Sequence, residues 1–474
     1  MRSRLLGFLG VTFDAISIPA FRYYWLSNFS ATTAMQVQTF ARALLAYELS
    51  GSAAAIGLVL LGQAVPQTVL SMFGGALADR MDRRRLIMIV QFAKVVLALL
   101  ITVLVLTDTV TVSLLFLSGV AQGVVLAFSG PPRTAIVAEI VPPERLLNAL
   151  ALNNTAANFS RLGAPSLAAV LVSISWIDIG GLYVFQAALD LLSFFCLMAL
   201  PFLKDWREGR EAVAKTTGGI VKKSLGVGSM LLEQVEGYRY VFASPILVTL
   251  LSIALVPTLL GQSYQQFLPV FAKDVFGDGI DRNAAAIGFM GTMSGVGALL
   301  GSFAVASAAN YGRHALLQLI AGLAFGASML LFATLSYFPL AVVALVLVGF
   351  TTAFLTSLNT AMLFRVTDRA YYGRVVSVNM LNLSFGMVGA FVTGYLIDWA
   401  PRVSLGSMVF EPIQVVYAGV GLLIMLFILS VTVFNPSYRR LGQGGSAVET
   451  QPSERDAGAA EPAGEPASAP QPPS

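Results

Sequence analysis

The feature that most constrains this chain is a succession of apolar blocks, each roughly 20 residues long and followed by a short polar break. A block of about 20 apolar residues, at 1.5 Å rise per residue, crosses the hydrocarbon core of a bilayer as a helix. Of the 474 residues, 56% are hydrophobic and only 11% are charged, whereas soluble domains carry roughly 25% charged residues. The sequence therefore predicts a polytopic helical membrane protein and excludes a water-soluble globule.

Twelve blocks are long enough to span the membrane, and they form two sets of six. The first set is predicted at residues 23–47, 55–77, 86–107, 111–132, 148–175 and 180–202. The second set is predicted at residues 246–271, 285–308, 315–336, 338–362, 376–399 and 413–434. The predicted fold is an all-α membrane protein with twelve transmembrane helices in two six-helix bundles, at 23–203 and 246–435.

Three further segments lie outside the bundles. Residues 1–22 contain a short apolar run that Asp14 interrupts, so we expect an interfacial segment and not a cleaved signal peptide. Residues 204–245 are rich in charge and are predicted to be a cytoplasmic linker. Residues 436–474 are rich in Pro, Ala, Gly, Ser and Glu, and this composition predicts a disordered cytoplasmic tail.

The positions of the basic residues predict the orientation, because Lys and Arg that flank a span are retained in the cytoplasm. With both termini cytoplasmic, the basic residues on the outer side are Lys273, Arg282 and Arg402. Those within spans are Arg42, Lys94 and Arg161. We therefore predict a multi-pass protein of the inner (plasma) membrane. Because the basic residues are dispersed among loops and form no stripe, nucleic acid is excluded as a partner.

The inventory of reactive side chains argues against an enzyme. Cys196 is the only cysteine and His314 the only histidine, which excludes an intrachain disulfide, a histidine metal cluster and a Ser/His/Asp triad. The chain has no phosphate-binding Gly-rich loop ending in Lys and Ser or Thr, so ATP is not the expected energy source. We predict no cofactor, no metal site and no enzymatic activity.

The loop between the second and third spans carries a dense charge motif. Gly75 is followed after three residues by Asp79 and Arg80, and then by a basic cluster that includes Arg83 and Arg84. A solvated turn that only sets topology is one interpretation. In a chain of six plus six spans, however, the motif closely resembles the signature loop of the major facilitator superfamily, with Asp82 where that family usually has glycine.

The resemblance implies a cytoplasmic gate between this loop and the start of the eleventh span. Gly75 permits close helix approach, Asp79 can face the positive end of a helix, and arginines can pair with acids of the other bundle. The predicted gate residues are Gly75, Asp79, Arg80, Arg83, Arg84 and Arg374.

Two internal echoes support a repeat. The second half has a decayed copy of the charged loop around Gly312 and Arg313, and Pro132–Ala135 corresponds to Leu358–Ala361 at the end of the fourth helix of each half. Such repeats imply two bundles with the substrate site between them. Within the superfamily, the chain resembles the drug and siderophore exporter branch of macrolide-efflux-like and enterobactin-exporter-like proteins. The segments with that resemblance are Phe21–Trp25, Tyr47–Ser52 and Ser160–Pro165.

Polar residues recur at helical spacing within the spans and predict a substrate cavity. The alternative for each amide is an interhelical hydrogen bond worth about 0.6 kcal/mol. Arg161 lies at mid-membrane depth, where an arginine costs at least ~3 kcal/mol, and is expected to face the cavity; the structural alternative is a buried contact with backbone carbonyls near Pro165. Arg42 is closer to a helix end, and its side chain could instead extend to the outer interface. The predicted cavity residues are Gln36, Arg42, Asn154, Asn158, Arg161, Gln262, Gln265 and Asn359.

Two carboxylates are candidates for proton coupling, because an arginine cannot lose its proton in this range. Asp190 is the only carboxylate deep in a predicted span, and Glu139 lies at the cytoplasmic end of the fourth. The structural alternative pairs Asp190 with Lys94 inside the first bundle, and Glu139 with Arg133 or with the loop arginines.

The function that the sequence predicts is secondary active transport, with proton-coupled efflux of small amphipathic molecules such as drugs or siderophores by alternating access. Three intramembrane cations against one carboxylate favour anionic or catechol-like cargo. The expected partners are a small-molecule substrate, protons and the lipid bilayer, and the expected state is a monomer. Two alternatives stay open, namely a lipid or lysophospholipid carrier of the same fold and a membrane sensor that does not transport.

Overall fold

The computed structural model describes residues 14–172, 178–200, 239–277, 284–308, 314–367, 372–406 and 408–434. Most of the predicted interfacial segment, most of the linker and the whole predicted tail lie outside these residues. Within the helices, the side chains of several stretches, among them 72–80 and 376–384, also lie outside the described part.

The described chain forms two successive sets of six helical spans. The first set comprises α1 (Pro19–Ser50), α2 (Ala53–Arg80), α3 (Arg83–Leu106), α4 (in two segments, Val112–Ala127 and Gly130–Ile140), α5 (Pro143–Val172) and α6 (Ile179–Ala199). The second set comprises α7 (Pro245–Val275), α8 (Ala284–Ala308), α9 (His314–Thr334), α10 (Phe338–Val366), α11 (Tyr372–Trp399) and α12 (Pro412–Phe434). By length and composition alone, eight helices of the described residues qualify as membrane spans. The predicted all-α membrane fold is confirmed.

A short hairpin joins α11 to α12. Strands β1 (Val403–Leu405) and β2 (Met408–Phe410) pair antiparallel, with Val403 opposite Phe410. Gly406 has φ +65°, which suits the turn between the strands.

Side chains at the helix starts explain several boundaries. Asp82 accepts a hydrogen bond from the Arg85 amide at 3.1 Å, and Asp178 accepts one from Gly181 at 3.0 Å, so both cap the helices that follow. The aspartate that departs from the superfamily motif therefore has a local structural role. Gly51, with φ +64°, ends α1 in the left-handed conformation and allows an immediate reversal into α2.

Two predicted spans differ from the observed helices. The fourth was predicted to end at residue 132, but after a break at Phe128 and Ser129 it continues as Gly130–Ile140. The second segment starts with two prolines in its first turn, where the missing amide hydrogens cost nothing. In the seventh span the regular helix ends at Leu260, and Gln262–Phe267 forms a tighter 3₁₀ segment.

The two halves pack alike. In the first half α2 packs along α4 and α3 along α6, and in the second half α8 packs along α10 and α9 along α12. In the α2–α4 crossing, Gly123 lies directly against the backbone of Gln63. In the corresponding α8–α10 crossing, Gly349 lies directly against the backbone of Ser294. A side chain at either position would collide with main-chain atoms, so the glycines allow these helices to approach closely.

Among the described residues, the most extensive contacts between the halves run along two helix pairs, α2 with α11 and α5 with α8. Gly394 of α11 lies against Ala53 at the start of α2, and Gly57 lies against Phe391. Both contacts are at the end where α1 finishes and α2 begins, which we call the outer end, following the predicted orientation.

Candidate functional site

A carboxylate of the second half holds the first turn of a helix in the first half. Asp398, in the last turn of α11, accepts hydrogen bonds from the backbone amides of Ala53 at 2.9 Å and Ala54 at 3.1 Å, and from the Ser52 hydroxyl. The first amides of a helix have no partner within it and carry its positive dipole end. Asp398 therefore acts as a helix cap supplied from the other half.

A second polar contact joins α1 to α7 at the same end. The Tyr47 hydroxyl lies within hydrogen-bonding distance of both carboxylate oxygens of Asp274, at 2.8 and 2.9 Å. The ammonium of Lys273 lies 5.1 Å from the centre of the Tyr47 ring, within cation–π range. We call the contacts of Asp398 and of Asp274 with the first half the outer latch.

The described residues of α10 line a shallow, open cavity toward its inner end. Its volume is about 420 Å³. The lining residues are Thr356, Ser357, Thr360, Ala361 and Phe364.

A charged pair lies at the middle of the first bundle. The Lys94 ammonium is 2.9 Å from the Asp190 carboxylate, and both side chains are almost fully buried. Gln91 and Gln186 each donate to one oxygen of this carboxylate, both at 3.0 Å. Three donors on one carboxylate offset much of the desolvation penalty of burying the pair. The structure shows that Lys94 and Asp190 pair, the arrangement that sequence left open.

Arg133 extends this network toward α1. Its guanidinium donates to Gln91 at 2.8 Å and to Asn28 at 3.2 Å, while its carbonyl accepts from the Tyr24 hydroxyl at 2.6 Å. The connected groups come from α1, α3, α4 and α6. Sequence reasoning did not list Arg133 as a site residue, although the repeat had marked its position.

The repeat is visible in the hydrogen bonds as well. Arg133 corresponds to Asn359 in the sequence echo, and Asn359 accepts from Gln318 of α9 at 2.5 Å. In each half, therefore, this position of the fourth helix bonds to a glutamine of the third. Asn359 is only 3% exposed, so in this conformation its side chain joins two helices and does not line a cavity.

The other predicted cavity residues lie in different environments. Arg42 is 3% exposed and donates to Gln63 of α2 at 2.8 Å, so it does not extend to the outer interface. Asn154 and Arg161 of α5 are exposed, and Gln36 is half-buried. Gln262, half-buried, and Gln265, exposed, lie on the 3₁₀ segment of α7. The side chain of Asn158 is outside the described residues.

Part of the predicted gate is described. Arg83 forms an ion pair with Glu139 at 2.9 Å, so this proton-coupling candidate pairs with the charged loop and not with Arg133. Arg84 is half-buried at the start of α3. The side chains of Asp79, Arg80 and Arg374, and the surroundings of Gly75, lie outside the described part of the structure.

Two repeated six-helix halves, which among the described residues are joined by polar groups at their outer ends, are the arrangement of a membrane transporter of the major facilitator fold. The chain belongs to the family described as transmembrane secretion effector, which matches residues 11–433. This membership confirms the predicted superfamily and a multi-pass protein of the inner membrane.

The relatives are transporters rather than enzymes, as predicted. The chain is 24% identical over 410 residues to a protein of Shigella dysenteriae named enterobactin exporter EntS, covering 86% of this chain and 90% of the relative. Among solved structures, the nucleoside transporter NupG matches with a TM-score of 0.64 at 16% identity, covering 87% of this chain and 98% of that one. A D-xylose-proton symporter matches with a TM-score of 0.62 at 14% identity, covering 90% and 98%.

Proposed function

We propose that this protein exports small amphipathic molecules of the siderophore or drug type by alternating access, driven by proton exchange. The observation that carries the proposal is the outer latch. It joins the halves through a few hydrogen bonds at helix ends, which can be exchanged for water when the halves separate. The similarity to a relative named as an enterobactin exporter supports the siderophore class of cargo.

In the proposed cycle, the latched conformation accepts substrate from the cytoplasmic side, between the halves. Binding to both halves favours their inner ends closing, and the outer latch then breaks. The gate loop around Asp79 and Arg80 would hold the inner end closed in the outward state. Each end of the α2 and α11 pair would thus have its own carboxylate contact, used in alternation.

Asp190 is the proposed proton carrier. Its carboxylate is bonded to Lys94, so adding a proton leaves a buried ammonium without its partner. That state is costly, and relief requires the helices around it to rearrange. Arg133, bonded to Gln91 next to the pair, connects this change to α1 and α4. Glu139 remains the second candidate, with its proton exchange tied to the Arg83 contact.

The energy is sufficient for export. One proton that returns down a potential of ~100 mV releases about 2.3 kcal/mol, which supports a substrate gradient of about 50-fold. The exposed Arg161 and the half-buried Arg133 add positive charge to the first half, which favours cargo with acidic or catechol groups.

Counterflow in proteoliposomes tests the proposal. Vesicles loaded with an unlabelled catechol siderophore should accumulate the labelled compound without ATP. Arg161→Ala should lose this exchange, while Arg402→Ala, which alters an exposed arginine of the hairpin, should retain it. Binding without exchange would instead support the sensor, and exchange of labelled lysophospholipid in place of siderophore would support the lipid carrier.

A further inference from the structure

The cavity on α10 differs in chemistry from the cationic side of the first half. Two of its lining residues are threonines one helical turn apart, Thr356 and Thr360, and the turn after them presents the aromatic ring of Phe364. The three side chains follow one face of the helix at intervals of about 6 Å. A ligand in this cavity therefore contacts hydroxyl groups and an aromatic ring on the same face of α10.

The hydroxyl hydrogens of both threonines are already used. Thr356 donates to the carbonyl of Thr352 at 2.9 Å, and Thr360 donates to the carbonyl of Thr356 at 2.8 Å. A threonine hydroxyl has one hydrogen and two lone pairs. Toward the cavity, these two oxygens therefore act as hydrogen-bond acceptors.

An acceptor wall selects against some groups and for others. A carboxylate has no hydrogen to donate to Thr356 or Thr360 and would place its charge against their lone pairs, so it gains nothing from these two oxygens. A neutral phenolic hydroxyl can donate to a threonine oxygen while its ring contacts Phe364, which is 37% exposed. An acceptor surface beside a ring fits a hydroxylated aromatic group.

We propose that the face formed by Thr356, Thr360 and Phe364 is a subsite for the phenolic or catechol hydroxyls of the substrate. The inference rests on the proposed export function and deepens it. The second half binds the neutral hydroxylated ring, while the arginines of the first half bind the acidic groups. A substrate that carries both features contacts both halves at once, as alternating access requires.

Binding of two matched probes to the purified full-length protein tests the subsite. Catechol has two hydroxyl donors, and veratrole is the same ring with both hydroxyls methylated. We expect the protein to bind catechol about ten-fold more tightly, because methylation removes the donors and leaves the ring contact. Isothermal titration or equilibrium dialysis measures the ratio.

The double variant Thr356→Val and Thr360→Val should reduce that ratio to about one. Valine keeps the shape of threonine and replaces its hydroxyl with a methyl group. The affinity for veratrole should therefore stay unchanged, and an unchanged affinity shows that the variant is folded. Thr334→Val is the matched control, since the Thr334 hydroxyl also donates to a carbonyl one turn earlier but lies at the outer end of α9. Serine at 356 and 360 should retain the preference.

Equal affinities in the unaltered protein, or a preference that survives the valine changes, would overturn the subsite. If the double variant does not fold, the single valine variants each carry the same test with half of the acceptor surface. The result is separable from the proposed function. A catechol preference without counterflow retains the subsite and rejects export. Counterflow without a catechol preference retains export and rejects the subsite.

Discussion

Removal of the Asp398 carboxylate is expected to loosen the outer end. Asp398→Ala deletes the acceptor for the amides of Ala53 and Ala54. Ser52, in the same half as α2, still accepts a hydrogen bond from the Ala55 amide and caps the helix. The helix therefore survives and only the contact between halves is lost. Loss of a cap costs about 0.5–2 kcal/mol, and a charge at an exposed helix end contributes about 0.3–1 kcal/mol.

Together these terms give about 1–2 kcal/mol, because Asp398 is solvent-exposed and its charge is partly screened. The closed outer end should lose that much stability, which raises the population with an open outer end by about 5- to 30-fold. The shift should appear as a longer distance between the halves on the outer side.

Spin labels on the outer loops can measure this distance. Thr109→Cys in the turn after α3 and Ser336→Cys before α10 are exposed positions, one in each half. The single native cysteine is removed by Cys196→Ser. Pulsed dipolar spectroscopy should show a larger fraction of long distances with Asp398→Ala. The Arg402→Ala control should leave the distance distribution unchanged. An unchanged distribution in the Asp398 variant would refute the latch.

Two further predictions concern packing inside the halves. Asp190→Asn leaves Lys94 buried without a carboxylate and should destabilise the protein by about 3–5 kcal/mol, measured as a lower unfolding temperature. Lys94→Met combined with Asp190→Leu should restore stability but not transport. A fully active double variant would exclude the pair from coupling. Gly349→Ala puts a methyl group against the Ser294 backbone and should lower the unfolding temperature by several degrees. Gly419 has open space around it, so Gly419→Ala should leave the unfolding temperature unchanged. Equal effects would show that the α8–α10 crossing is not tightly constrained.

The spans could be predicted from sequence because each is a long apolar block, and block length is a local property. The irregular parts were harder. The break in α4 follows from the two prolines, which lack the amide hydrogens that would continue the helix, yet apolar residues on both sides hide it from a hydropathy reading. The 3₁₀ turn that carries Gln262 and Gln265 depends on packing against α11, which no local pattern shows.

The latch was not predicted, for a related reason. Asp398 and Asp274 lie near span ends, where a carboxylate normally faces water, and their partners are far away in the sequence. The polar stripes predicted a cavity, but a stripe does not distinguish an amide that faces a cavity from one, such as Asn359, that bonds to a neighbouring helix. Arg133 directly follows a predicted span and was therefore interpreted as a cytoplasmic residue that sets the orientation of that span.

The Lys94–Asp190 pair also sets an order of events during biosynthesis. Lys94 leaves the ribosome with α3, and its partner emerges only with α6. Until then an ammonium in the bilayer costs about 2.5–3.5 kcal/mol on insertion scales, a cost that the otherwise apolar helix must bear. The N-terminal half therefore reaches its paired state only after the sixth helix has inserted, and nascent chains that stop before that helix should be substrates for membrane quality-control proteases.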